Sequence, residues 1–163
     1  MANTRDQIVA IDLSGDKDVL RAFKKLADAA QRRIIRSMVR RGMTPVLREA
    51  KRRVPVKRGL LKKSLGVKGF TDRRRGAFVG FVGPRRGFRV QVGETKDGSP
   101  VFANPLNYSH LVEFGSKRNE EKPFLRPAVR AAKTQTESRM VLAWNEGIKR
   151  EAAKARAKGR RGK

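Results

Sequence analysis

Asn107-Tyr-Ser-His-Leu-Val-Glu-Phe-Gly115, a polar loop over residues 116–122, and Pro123-Phe-Leu-Arg-Pro-Ala-Val129 together decide how this chain folds. Tyr108, Leu111, Val112 and Phe114 give a short segment with an apolar side, and Gly115 ends it by permitting a positive φ angle. Pro123 and Pro127 fix φ on either side of Phe124 and Leu125. Pro127 falls where a first-turn proline costs a following helix nothing. The stretch therefore reads as a joint between a sheet region and a final helix, with Phe114 and Phe124 as its expected anchors.

Upstream, residues 7–13 (Gln-Ile-Val-Ala-Ile-Asp-Leu) form a strand candidate closed by Ser14-Gly-Asp16, where Ser14 or Asp16 can cap a helix. From residue 18 to about 41, Val19, Phe23, Leu26, Ala30, Ile34 and Met38 recur at intervals of three and four and stack in one stripe. Arg21, Lys25, Arg32 and Arg36 lie opposite. Ile35 and Val39 fall outside the stripe, as a subunit contact or as scattered surface apolars. Gly42, Thr44 and Pro45 either kink this helix or end it and start another, which Pro55 stops.

A turn with Gly59 at its corner and Leu60 after it then swings the chain from helix to sheet. Residues 65–70, 77–82 and 88–92 read as short strands separated by Asp72-Arg-Arg-Arg-Gly76 and Pro84-Arg-Arg-Gly87, the pattern of an antiparallel meander. Residues 94–100 form a polar turn, and Val101-Phe102 adds a last short strand. After Pro127 the chain returns to helix, with Val129, Ala132, Thr136, Met140 and either Ala143 or Trp144 on one side and Gly147 near its end. The expected class is α+β: a long N-terminal amphipathic helix and a C-terminal helix packed on an antiparallel meander. Residues 1–148 form one domain, and the Ala/Lys/Arg/Gly stretch 149–163 forms a basic flexible tail.

Lysine and arginine total 41 against 15 acidic residues in 163, for a net charge of +26. Such a field attracts polyanions, with duplex DNA the first candidate. The arginines of two strand tips, Arg73, Arg74, Arg75, Arg85 and Arg86, and Arg160 and Arg161 of the tail, are the residues expected nearest to DNA. Ordinary solvated surface is the alternative. There is no cysteine, so disulfides and thiolate metal sites are excluded. The N-terminal residues lack a signal peptide's apolar run, and no apolar stretch approaches the roughly 20 residues of a membrane span, so an intracellular protein without membrane contact is expected.

Chemistry has little to work with. His110 is the single histidine, and His110 with Glu113 makes two candidate ligands, too few for a zinc site. Glu113, among apolar neighbours, is expected to pair with an arginine such as Arg126. Ser64 has no histidine base, and no glycine loop has phosphate-binding spacing. No enzyme and no cofactor are expected.

With this order of elements in hand, the chain resembles the tail-completion, or head-tail joining, protein family of long-tailed bacteriophages. The family's proline-containing turn followed by Thr-Gly-x-Leu and a serine appears as Val54-Pro-Val-Lys-Arg-Gly-Leu-Leu-Lys-Lys-Ser-Leu65. Its Tyr-x-x-x-Val-Glu-Phe-Gly appears as Tyr108 to Gly115, and its Pro-Phe-x-x-Pro-Ala as Pro123 to Ala128. Arg58 stands where the family usually has threonine, which removes that hydroxyl from the corner.

The resemblance spans about residues 18–140 and implies a structural virion protein of the neck. It implies a homo-oligomeric ring, a hexamer by analogy, at the head-proximal end of the tail, made in the host cytoplasm. Its implied partners are connector or stopper proteins, the tail tube protein and, without sequence preference, the double-stranded DNA in the channel. The residues expected to carry structure or interfaces are Gly59, Leu60, Tyr108, Glu113, Phe114, Gly115, Pro123, Phe124 and Pro127. The competing reading is a sequence-independent nucleic-acid-binding protein of ribosomal or nucleoid type.

Overall fold

The computed structural model describes residues 28–72 and 77–161, together with Arg21, Lys24 and Leu26. The strand expected over residues 7–13, its Ser14 or Asp16 cap, Val19 and Phe23 of the helical stripe, and Arg73, Arg74 and Arg75 lie outside the described residues. So do the side chains of Arg160 and Arg161. The elements in order are α1 (Asp28–Gly42), α2 (Thr44–Arg53), α3 (Leu60–Ser64), β1 (Leu65–Asp72), β2 (Ala77–Pro84), β3 (Val90–Glu94) and β4 (Pro100–Ala103). A 3-10 turn (Pro105–Asn107), α4 (Ser109–Phe114) and α5 (Leu125–Arg161) follow. The class is α+β, with helices at both ends and antiparallel sheets between.

The chain divides into two compact units, one of residues 1–44, 69–80 and 134–163, the other of residues 45–68 and 81–133. In the first, Ala30, Ile34, Met38 and Val39 of α1 and Thr136, Met140 and Ala143 of α5 are buried. The 3.6-residue stripe thus becomes the core face, and of Ala143 and Trp144 it is Ala143 that is buried. Val39 is core as well. A Cβ on Gly80 would collide with its Cγ1, so the residue off the stripe serves this unit rather than a subunit contact.

Glycines set the close approaches here. A Cβ on Gly42 would run into the Met140 side chain, and one on Gly147 would lie 3.0 Å from Ile34 Cγ2. Gly147 is therefore a packing residue inside α5 and not its end, and the alanines beyond it favour continued helix.

In the second unit Ala50, Val54, Leu61, Leu65, Phe124 and Ala128 form the core, with Leu47, Val82, Tyr108, Val112 and Leu125 packed against it. At the junction after Gly42 one helix ends and a second begins. The Thr44 hydroxyl donates to the Arg40 carbonyl (3.1 Å), completing the end of α1 rather than capping α2.

The strands pair as two hairpins, β1 with β2 and β3 with β4, so the third strand leaves the meander. Arg85 N–H donates to the Ser64 carbonyl (2.9 Å), which ends the first ladder, and Gly87 at φ +76° turns the chain away. β3 then pairs antiparallel with β4, Val90 opposite Ala103 and Glu94 opposite Pro100, with an irregularity between Gln91 and Gly93. The polar turn between them closes through Thr95 N–H to the Ser99 carbonyl (2.8 Å).

Replacing Gly80 by alanine forces Val39 off its rotamer or shifts β2. A loss of about 1–3 kcal/mol is expected, measured as a lower urea midpoint with an unchanged slope.

Candidate functional site

Helix α5 begins without a local cap: Lys122, Pro123 and Phe124 offer no Ser, Thr, Asp or Asn side chain to its first amides. The acceptor comes from α4. Glu113 is fully buried, and its Oε2 accepts the N–H groups of Phe124 and Leu125 (2.8 Å each) while Oε1 accepts that of Arg126 (2.9 Å). The fourth open amide of a helix start does not exist, because Pro127 stands there. One carboxylate thus satisfies the whole helix start, where the macrodipole also favours negative charge.

Arg126 closes the arrangement from outside. Its Nε lies 3.4 Å from Glu113 Oε1, and one terminal nitrogen donates to the Glu113 carbonyl and to Glu121 Oε2, 3.1 Å each. The guanidinium stacks 5.0 Å from the centre of the Phe114 ring. Phe114 is therefore half-exposed under a cation, and Phe124 alone is the buried aromatic anchor.

The loop that makes this geometry depends on Gly115, at φ +74° and ψ −177°, a region open essentially to glycine. A Cβ there would lie 3.0 Å from Glu121 N and 3.2 Å from the Asn119 carbonyl oxygen. The Ser116–Asn119 bridge and a bond from Lys122 N–H to the Val112 carbonyl (2.8 Å) fold the loop back on α4. Tyr108 packs on the core, and burial pushes its phenol pKa up. The structure thus brings Tyr108, Glu113, Phe114, Gly115, Pro123, Phe124 and Pro127 into one joint.

Gly59 and Leu60 sit at the corner before α3, with Gly59 left-handed at φ +69°. At the other end of that short helix Arg85 is a strap. Its guanidinium donates to the Lys63 carbonyl (3.0 Å) and the Ser64 carbonyl (3.3 Å), and it stacks on Phe88 at 5.3 Å. A Cβ on Gly66 would lie 2.9 Å from the Arg85 stem, and this glycine is the one sequence signal for the strap. Arg86 is exposed beside it. Ser64, whose hydroxyl donates to the Leu61 carbonyl (2.7 Å), is buried structure. His110 is exposed, and among the described residues no group of three His, Cys, Asp or Glu is placed to hold a metal.

The first unit carries a groove of about 120 Å³ between α1 and α5, lined by Arg33, Arg41, Arg150, Lys154 and Glu151 among others. Arg33 and Lys154 bond the Glu151 carboxylate at 2.8 and 3.1 Å, and Arg41 pairs with Glu146. The Arg33 hydrogen bond, then that of Lys154, holds Glu151 down at about 2, and its partner raises Arg33. Nothing in the sequence pattern announces a pair 118 residues apart.

The described residues thus form a scaffold in which scarce acidic groups tie helices and loops together within a strongly cationic chain. The sequence of residues 17–115 matches the family described as "Bacteriophage HK97-gp10, putative tail-component", and the chain belongs to that family of phage tail components. No curated protein and no solved structure matches the chain. The matched span ends at Gly115, so it includes Glu113 but not the helix start that Glu113 holds.

Replacing Glu113 by alanine leaves three amides unpaired, that of Phe124 buried and those of Leu125 and Arg126 partly so, and should cost about 3–5 kcal/mol. Glutamine, which keeps one acceptor oxygen, should cost less. Denaturant unfolding gives the loss, and hydrogen exchange should accelerate first at Phe124, Leu125 and Arg126. For Glu151 the folded pKa lies below the ordinary 4.5. Its contribution is present in full above that value and is lost as pH falls toward about 2. Glu151→Gln should therefore flatten the acid limb of a stability-against-pH curve within that window.

Proposed function

We propose that this tail component is a structural protein of the phage neck. It forms a ring at the head-proximal end of the tail and completes the tail for joining to the DNA-filled head. The observation that carries the reading is the joint. The two motifs that resemble the tail-completion family, Tyr108 to Gly115 and Pro123 to Ala128, meet in space through the Glu113 carboxylate. A chain built to keep one helix at a set angle to a loop suits a ring subunit, whose contacts must repeat from copy to copy.

The role is structural and not catalytic: Glu113, the one buried carboxylate of the joint, has both oxygens engaged by backbone amides. Partners in this reading are further copies of the chain, connector or stopper proteins, the tail tube protein and DNA in the channel. A net charge of +26 favours contact with phosphates without base readout. Arg86 and the cations of residues 73–75 and 160–161 are the proposed contributors. Arg85 contributes less, since its guanidinium holds α3.

Electron microscopy of a lysate in which this gene carries an early stop codon tests the reading. Filled heads lying apart from tails, or tails of abnormal length with ragged ends, are expected. Intact infectious particles, with the wild-type protein bound instead to cellular nucleic acid, would replace this reading with that of a non-specific nucleic-acid-binding protein.

A further inference from the structure

Residues 90–114 contain one cation, Lys96, against Glu94, Asp97 and Glu113, in a chain where lysine and arginine make up 41 of 163 residues. The same stretch holds Val92, Val101, Phe102, Leu106, Leu111 and, partly covered by the Arg126 guanidinium, Phe114, six of the nine large apolar side chains exposed among the described residues. The two observations are independent. Charge depletion with aromatic and aliphatic exposure is the composition of an interface centre, not of a solvated surface.

The hairpin β3–β4 makes the need for a cover concrete. Alternation places Val90, Val101 and Ala103 on one face and Phe102 on the other, and every residue of the hairpin is at least partly exposed, with Phe102 at 53%. A two-stranded ribbon with apolar groups on both faces is marginal in water by itself.

We infer that residues 90–114 dock on a second copy of this chain, against the cationic surface presented by α2, α3 and the turn between them. The inference rests on the ring reading above and gives it a contact. Arg48, Arg52, Arg58 and Lys62 are exposed on that surface, where Glu49 is the one acid between residues 45 and 68. The hairpin turn brings Glu94 and Asp97 as its counter-charges. Two copies of a chain this basic repel, so a contact that joins the cation-poor stretch of one to the cation-rich stretch of the other is favoured over either with itself. The two surfaces differ, so the contact is head-to-tail. Such contacts close into a ring where the rotation between copies returns on itself, run on as a filament where it does not, and in neither case stop at a two-fold dimer.

Sedimentation velocity of the full-length protein at low and moderate salt tests this with two variants, Phe102→Arg and the double change Arg48→Glu with Arg58→Glu. All three side chains are exposed, so both variants should keep the wild-type thermal melt. The wild type should assemble beyond a dimer, each variant should remain a single chain, and an equimolar mixture of the two should give a 1:1 dimer, because each retains one working surface. Leu142→Arg, on exposed α5 surface, should assemble as wild type.

Wild-type assembly that survives Phe102→Arg would overturn the surface and leave the ring reading standing. If that variant also yielded non-infectious particles, residues 90–114 would belong to a different virion protein. A wild type that stops at a two-fold dimer would overturn the head-to-tail contact. A wild type that stays a single chain in both salts would remove the ring reading along with it.

Discussion

The second unit depends on one carboxylate. Glu113 leaves α4 and enters the start of α5, where it accepts three backbone amides that no local residue could satisfy. A charged group this deeply buried is tolerated because every demand is met at once: the amides take its oxygens, the helix start supplies partial positive charge, and Arg126 supplies a formal one. The arrangement is also directional. Three donors in a row fix where α5 points relative to α4, which a single side-chain cap at the helix's own N-terminus would not do. Phe124, fully buried beside it, converts that orientation into packing against Ala50, Val54, Leu61 and Leu65.

The first unit reaches rigidity by a different route. Its helices approach closely at Gly42, where a Cβ would overlap the Met140 side chain, and at Gly147, where one would press on Ile34. Ion pairs from Arg33 to Glu151 and from Arg41 to Glu146 then tie α1 to α5. In a chain with so few acids this placement is economical. Glu49, Glu113, Glu121, Glu146 and Glu151 all engage arginine. Each is thus a fastener that also lowers local repulsion, and the surplus cations are left to the surface.

What the sequence reveals follows from how local the physics is. The apolar stripe of α1, the corner at Gly59, the break after Gly42 and the first-turn proline of α5 are legible because each is decided within a few residues by periodicity or φ preference. The pairing of β3 with β4 is harder. The polar turn and the short strand after it are readable, but strand partners depend on where Arg85 ends the first ladder, and that is set by its bonds to Ser64, 21 residues earlier. Gly147 has the look of a helix end and is a contact glycine, since the residue that requires it, Ile34, lies in another helix. The Glu113–Arg126 pair could be expected from charge and neighbourhood. The capping of three amides is signalled only by the lack of a local acceptor in Lys-Pro-Phe, the three residues before α5, and that missing cap is a signal in its own right.

The joint and the apolar ribbon beside it belong to one continuous device. From Ala103 the chain runs through Asn104, whose side chain accepts the Leu106 amide (3.1 Å), into the 3-10 turn, and the Ser109 hydroxyl returns to the Leu106 carbonyl (3.4 Å) as α4 begins. Four residues after Ser109, Glu113 is locked against α5. Short-range bonds thus lead without a loose segment from the exposed hairpin to the most constrained residue of the unit. A surface held in this way loses little further freedom when a partner covers it, so more of its apolar contact appears as affinity. The same carboxylate that would be a poor choice for stability alone is then a reasonable one if, as proposed above, this face docks on a second copy of the chain.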